Sequence, residues 1–364
     1  MKVAFDASSA AFRLKTGTGV YTQELIKAYQ EEFPDDQVIH TYRLSRRIRG
    51  LPYLLPLTSN SRRQTIIGSF TGFRRRSYDI FHGLNSRLPD LRNVPMVSTV
   101  HDLFSISGLF SSQKFRNDQS SKLLQMISRS SHIIVPATFT KSQIIENLGI
   151  SGDKITVVSE GVRDPFLKEK NREESRKKLE SRYGLTRPFL LFVGTLEKRK
   201  NIVGLIKAYI VLSQTQRPLP DLVLVGGKGF QFREIAEEMK DSKLEDKIKL
   251  LGFVADDTLA DLYRASEAFL FLSFEEGFGI PVIEAMACGA PVITSNTTSL
   301  PEVGSGFTWL VNPNDPAMAG HLMAQVLQRT EKILDQARRG QAYARKKTWR
   351  QVARDTREVY SKLI

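Results

Sequence analysis

The 364-residue chain holds one cysteine, Cys288. That excludes a disulfide framework and favours a reducing, cytoplasmic compartment. A lone cysteine suits either a nucleophile or a small core residue, and the second use is the commoner. No run approaches the roughly 18–20 consecutive apolar residues of a membrane-spanning helix. The N-terminal Met1–Asp6 reads as a first strand rather than a signal peptide. No Asp-x-Asp pair offers itself to a divalent cation. Acidic residues are missing altogether between Asp36 and Asp79, where nine arginines stand: Arg43, Arg46, Arg47, Arg49, Arg62, Arg63, Arg74, Arg75 and Arg76. The rest is ordinary globular composition, 41% hydrophobic and 25% charged, long enough for two domains. A formal charge of +14 invites nucleic acid, an anionic membrane surface or an acidic ligand, without choosing among them.

Short apolar runs alternate with amphipathic stretches. Strands are expected in the first half at Lys2–Asp6, Gln37–Tyr42, Tyr78–His82, Met96–His101, His132–Ala137 and Lys154–Ser159. In the second half they are expected at Phe189–Gly194, Leu222–Gly226, Ile248–Phe253, Ala268–Leu272, Pro291–Thr294 and Thr308–Val311. Strands separated by helices imply parallel sheets with helical faces, and this many strands exceeds one doubly wound sheet. Two α/β domains are therefore expected, residues 1–167 and 168–348. The stretch 349–364 is expected to rejoin the first as a C-terminal helix.

The chain's most pointed stretch is Ser273–Gly289, S-F-E-E-G-F-G-I-P-V-I-E-A-M-A-C-G. An apolar strand feeds an acidic, glycine-rich turn, and Pro281 suits the first position of a helix that Gly289 closes. A helix N-terminus approached through glycines is an anion site. Glu276 precedes it, and Glu284 is expected in its first turn, where an acid also simply complements the helix dipole.

Three further loops follow strands. Thr16-Gly17-Thr18-Gly19 opens an amphipathic helix; the turn is a partial phosphate-binding fingerprint or a plain tight turn. After Gly194, the cations Lys198, Arg199 and Lys200 crowd a helix start capped by Asn201. Each cation there costs roughly 0.3–1 kcal/mol against the dipole. The cluster suits a multiply charged anion; the alternative is a solvated charge run. His101-Asp102 ends a strand, where open α/β sheets bind ligands. In the arginine-rich segment Ile66, Ile67, Phe70 and Phe73 recur at helical spacing, interrupted by Gly68 and Gly72. Such a helix suits an anionic lipid surface or docking on its own domain with a wet basic edge.

Taken together these loops resemble the retaining glycosyltransferases of family 4. Glu276-Gly-Phe-Gly-Ile-Pro-Val-Ile-Glu284 matches their E-x7-E signature. The likeness extends through Gly17–Gly19, "VHD" at Val100–Asp102, "KITVVSEGV", "VGTLEKRKN", "LVLVGG", "LLGFVADDTLADLYRAS" and "LPEVGSG". Three positions depart from the pattern. Thr195 stands where many members carry arginine, Lys198 replaces the proline usual in the mannosyl- and rhamnosyltransferase-like subgroup, and Val20 replaces an arginine.

The resemblance implies the GT-B fold, two facing Rossmann-like domains with a cleft between them. It implies a donor that is a nucleotide diphosphate sugar, GDP- or dTDP-linked, with no cofactor and no metal. Arg199 and Lys200 would bind the diphosphate and Glu284 the ribose hydroxyls. Phe253 and Val254 would meet the base, with Gly194 in the donor site. Glu276 and the backbone of Gly277, Phe278, Gly279 and Ile280 would contact the donor sugar. His101 would reach the transferred sugar as the second catalytic group, and Gly17 and Gly19 would admit the phosphates. The expected activity moves a hexosyl unit, mannose or rhamnose, to a glycan or lipid-linked glycan in surface polysaccharide synthesis, at the inner face of a membrane. A nucleotide-sugar epimerase of similar architecture is the alternative. A basic nucleic-acid-binding protein is a third reading, but no recognition module is present, and nucleic acid is not expected as a partner.

Overall fold

The computed structural model describes residues 1–66, 78–85, 88–91, 93–107 and 113–364. They fall into two compact units: Met1–Gly161 with Thr348–Ile364, and Val162–Lys347. The division thus comes a few residues before 167.

The first unit is built on seven parallel strands: β1 (Lys2–Asp6), β2 (Gln37–Arg43), β3 (Ser61–Ile66), β4 (Ile80–Gly83), β5 (Met96–Thr99), β6 (His132–Val135) and β7 (Ile155–Val157). Their order is β3-β2-β1-β4-β5-β6-β7. The chain winds outward in both directions from β1 and β4, so the topological switch point lies between those two. β4, β5 and most of β1 and β6 are buried, as strands covered on both faces must be. The Gly17–Glu32 helix packs on the Trp349–Ser361 helix. Tyr21 meets Trp349 edge-on at 5.4 Å, and Tyr29 lies 6.0 Å from Tyr360.

β3 was not expected. Among the described residues it pairs only with β2, and it carries Arg62 and Arg63 exposed on that sheet edge. An edge strand needs no continuous apolar run and is commonly protected by charge. The helix expected from Ile66 onward is thereby corrected at its start, because Ile66 closes a strand; Ile67, Gly68, Phe70, Gly72, Phe73 and Arg74–Arg76 lie outside the described residues. Upstream, Leu44–Arg49 forms a short helix.

The second unit has six parallel strands: β8 (Phe189–Val193), β9 (Asp221–Val225), β10 (Ile248–Gly252), β11 (Ala268–Phe271), β12 (Val292–Ser295) and β13 (Trp309–Val311). The order is β10-β9-β8-β11-β12-β13, with the switch point between β8 and β11. Phe192 and Phe269 stack against Phe271 at 6.0 and 5.8 Å. All three rings are fully buried, each stabilising the fold by roughly 1.5–3 kcal/mol. No helix among the described residues is long and apolar enough to cross a membrane.

Candidate active site

The switch point of the second unit brings together the two loops singled out in the sequence. The loop after β8 forms a turn at Lys198–Lys200 and then the Ile202–Thr215 helix. Asn201 adopts a left-handed conformation, and its side chain accepts from Gly204 N at 3.2 Å and donates to Pro313 O at 2.7 Å. The loop after β11 runs through Glu276 to the Ile280–Ala287 helix. Phe274 N donates to Arg199 O at 3.0 Å and Arg199 Nη1 to Glu275 O at 2.8 Å, so the loops are stitched together.

Glu276 sits in this seam. Lys200 Nζ donates to one carboxylate oxygen, and Arg199 Nη1 lies 3.3 Å from the other. Arg199 also reaches Glu197 at 3.0 Å, and Lys200 lies 4.9 Å over the Phe271 ring. The side chains of Arg199, Lys200 and Glu276 are only 17%, 11% and 8% exposed, so these two cations are not a solvated charge run; Lys198 is on the surface, 45% exposed and 3.3 Å from Glu234. Nor does the cluster wait for an external anion to be stable, since two carboxylates of the same chain already balance it. Burial raises the Glu276 pKa, but Lys200 and Arg199 more than reverse this and hold it below the ordinary carboxylate value. Burial lowers the Lys200 pKa, Arg199 adds to that, and Glu276 offsets only part.

The glycine turn is held from behind by Ser299, whose Oγ lies 3.0 Å from the carbonyl oxygens of both Glu276 and Phe278. Gly279 has φ +108°, a backbone conformation that demands glycine, and a Cβ there would fall 2.8 Å from a side-chain methyl of Leu300. Gly277 and Phe278 are buried and Ile280 half-buried. Pro281 stands second in the helix rather than first. Gly194 donates its N–H to Val225 O at 2.9 Å, tying the start of the β8 loop to β9.

Glu284 corrects its sequence placement: it lies beyond the first turn and is 2% exposed, so complementing the helix dipole does not explain it. Arg163 Nε donates to Glu284 Oε1 at 2.7 Å, and Arg163 Nη1 lies 2.8 Å from Asp256. Burial works against the Arg163 charge, but Glu284 and Asp256 hold the guanidinium above its ordinary pKa. Asp256 begins the helix after Phe253 and Val254. Phe253 is exposed and lies over Gly227, where a Cβ would meet its ring at 2.5 Å; Val254 is half-buried. Cys288 is buried, and burial pushes its thiol up to about 12, which fits a core residue rather than a nucleophile.

In the first unit His101 follows β5. Its Nδ1 faces Glu160 Oε1 at 3.3 Å and its ring meets Tyr21 edge-on at 4.6 Å. Its Nε2 is buried without a hydrogen-bond partner among the described residues. Gly19 is close-packed, since a Cβ would fall 2.7 Å from Ser9 O, whereas Gly17 opens on empty space. Sequence reasoning missed Glu160, Arg163 and Ser299. The first two flank Gly161-Val162 after an apolar strand, and Glu160 also stands within the "KITVVSEGV" likeness; those are the signals they leave.

Two family descriptions match the chain: glycosyltransferase family 4 over residues 16–164, and glycosyl transferases group 1 over residues 171–347. The O-antigen chain mannosyltransferase B of Escherichia coli is 28% identical over all of both chains. The O-antigen chain mannosyltransferase RfbU of Salmonella typhimurium is 30% identical over 53% of this chain and 50% of its own. Among solved structures, Anabaena HepE in complex with UDP superposes over all of both chains with a TM-score of 0.77 at 19% identity. Sucrose-phosphate synthase of Thermosynechococcus elongatus superposes with 0.79 at 19% identity, over 100% of this chain and 99% of its own. These two likenesses establish the GT-B fold.

Proposed function

The chain belongs to the family 4 glycosyltransferases, and on that premise we propose that it transfers mannose, with retention, from GDP-mannose to a growing surface glycan. The observation that carries the proposal is Glu276 clasped by Arg199 and Lys200 at the switch point of the second sheet. The mannosyltransferases among the relatives support the sugar, and the E-x7-E resemblance supports retention.

Departure of a nucleoside diphosphate builds negative charge on phosphate and positive character at the anomeric carbon. Arg199 and Lys200 are prearranged to stabilise the first. Glu276 and the backbone from Gly277 to Ile280 orient the sugar hydroxyls. Glu284 takes the ribose, and Phe253 and Val254 take the base. His101 takes the sugar-facing role in the first unit, and Gly17 leaves room for phosphate. Glu276 and Glu284 are thus not the nucleophile and acid of a retaining hydrolase; the acceptor attacks on the leaving-group side and its proton passes to the departing phosphate oxygen.

A thermal-shift series with GDP, UDP, dTDP and ADP tests the donor, with GDP expected to stabilise most. GDP-mannose should then be consumed only with acceptor, giving a product of unchanged anomeric configuration. No shift with any nucleotide overturns the proposal, and an altered sugar formed without acceptor assigns an epimerase instead.

We further assign the first unit a docking face for anionic lipid. Leu44, Ile48, Leu51, Tyr53 and Leu57 are exposed, Ile48 and Leu51 by 61% and 63%, beside exposed Arg46 and Arg49. Exposed apolar anchors among arginines, with no acid near in sequence, match an interfacial element. Flotation with liposomes should require anionic lipid and fail for Ile48→Glu/Leu51→Glu; equal flotation with neutral lipid sinks the assignment.

A further inference from the structure

Arg163 lies just inside the second unit, and its forked side chain touches both elements assigned to the nucleoside. One nitrogen binds Glu284 at 2.7 Å; another meets Asp256 at 2.8 Å, at the start of the helix that follows Phe253 and Val254. The guanidinium lies 4.7 Å over the Phe166 ring, which restricts its plane. The segment behind it is pinned as well: Arg264 donates to Pro165 O at 3.0 Å and to Lys168 O at 2.7 Å. Stability alone does not account for the arrangement, because a buried ion pair is commonly no better than an apolar pair of the same volume. A planar fork does what an apolar pair cannot: it sets the direction of a carboxylate.

We propose that Arg163 is a positioning residue for the nucleoside half of the donor, aiming Glu284 at the ribose hydroxyls and tying it to the base-contacting loop through Asp256. This rests on the reading of Glu284 as the ribose contact. Lysine at 163 keeps the charge but cannot span both carboxylates. Asn at 256 removes only the outer, half-exposed end of the bridge and leaves Glu284 paired.

The test compares calorimetric affinities for GDP and 2′-deoxy-GDP, and for UDP and 2′-deoxy-UDP, across the wild type, Arg163→Lys, Asp256→Asn and Glu284→Gln. The wild type should prefer a ribonucleotide, and Glu284→Gln should abolish the preference. Arg163→Lys should reduce it about tenfold. Asp256→Asn should give a smaller fall, which serves as the second reading if Arg163→Lys does not fold. Donor KM should rise in Arg163→Lys while kcat changes little. A residue that only supports the fold would lower melting temperature and weaken both members of each pair equally. If Arg163→Lys and Asp256→Asn keep the wild-type preference while Glu284→Gln loses it, the Arg163 proposal alone is overturned. If Glu284→Gln keeps it too, or the wild type shows none, the ribose reading beneath it fails.

Discussion

The two sheets share one local order around their switch points, β2-β1-β4-β5 and β9-β8-β11-β12, yet they furnish those points differently. The second unit places opposite charges there, all largely buried: Arg199 and Lys200 around Glu276, and Arg163 on Glu284. The first unit holds a partly exposed ion pair there, Asp6 with Arg43, and surrounds its histidines with neutral aromatics: Tyr360 on the buried His82, and Tyr21 between His101 and Trp349, with Glu160 facing the His101 ring. A diphosphate needs cations, but cations buried without counter-charge cost several kcal/mol each. The second unit meets this by carrying its own carboxylates, and on the proposed reading the ligand's phosphates would take their place on Arg199 and Lys200. A sugar is neutral, so on the proposed reading its contact with the first unit would rest on shape and a ring nitrogen rather than on charge.

The contrast breaks most sharply at Glu276. Glu276→Gln should lower transfer by about 10²–10³-fold, the scale of losing one prearranged electrostatic group. Affinity for GDP should stay within a few-fold, because the cations remain. Transfer near the wild-type rate would remove Glu276 from the chemistry. Lys200→Ala should act on the other side of the pair, weakening GDP binding by about tenfold, as expected for one charge-assisted hydrogen bond to phosphate. Titration calorimetry reads this directly, and unchanged affinity would mean the phosphates bind elsewhere.

The first unit's two glycines sharpen the comparison further. Gly19→Ala forces a methyl to 2.7 Å from Ser9 O and should destabilise by about 1–3 kcal/mol in a urea melt. Gly17→Ala meets nothing within 4 Å and should leave the melt unchanged. Any loss of donor affinity in Gly17→Ala then reports phosphate approach rather than folding. A melt in which the two variants behave alike would show that the close approach at Gly19 relaxes freely.

Much of this was legible in the residues. Buried parallel strands announce themselves as short apolar runs, which is why β8, β9 and β11 stood out. β3 did not, because an edge strand with Ser61, Arg62, Arg63 and Gln64 carries no such run. The loops after β8 and β11 were legible as separate anomalies, cations at a helix start and a glycine turn between acids. Their convergence was not, since it follows from the order of strands between Val193 and Ala268 in space. For the same reason the sequence shows Arg199 and Lys200 as cations suited to a multiply charged anion and hides their pairing with Glu276, 76 residues beyond Lys200. Arg163 and Glu160 were hidden because a lone charge beside a strand has the same appearance in sequence whether it points to water or to a buried partner.

The smallest effect bears on whether the second unit's charges are a pair in the free protein. Glu276 titrates below its ordinary value of 4.5, burial pushing it up and Lys200 and Arg199 pulling it further down. The folded chain therefore binds fewer protons at this site than the unfolded chain does. The resulting stability is full above the ordinary glutamate value and is lost as pH falls through the depressed folded value. Glu276→Gln lacks this titration and leaves both cations facing a neutral amide, so it should melt below the wild type at neutral pH. The gap should narrow as pH drops below about 4.5 and the wild-type carboxylate takes up its proton. A gap that stays constant from neutral to acid pH would mean that Glu276 gains nothing from Arg199 and Lys200. The second unit would then resemble the first, with a site assembled by shape rather than by charge.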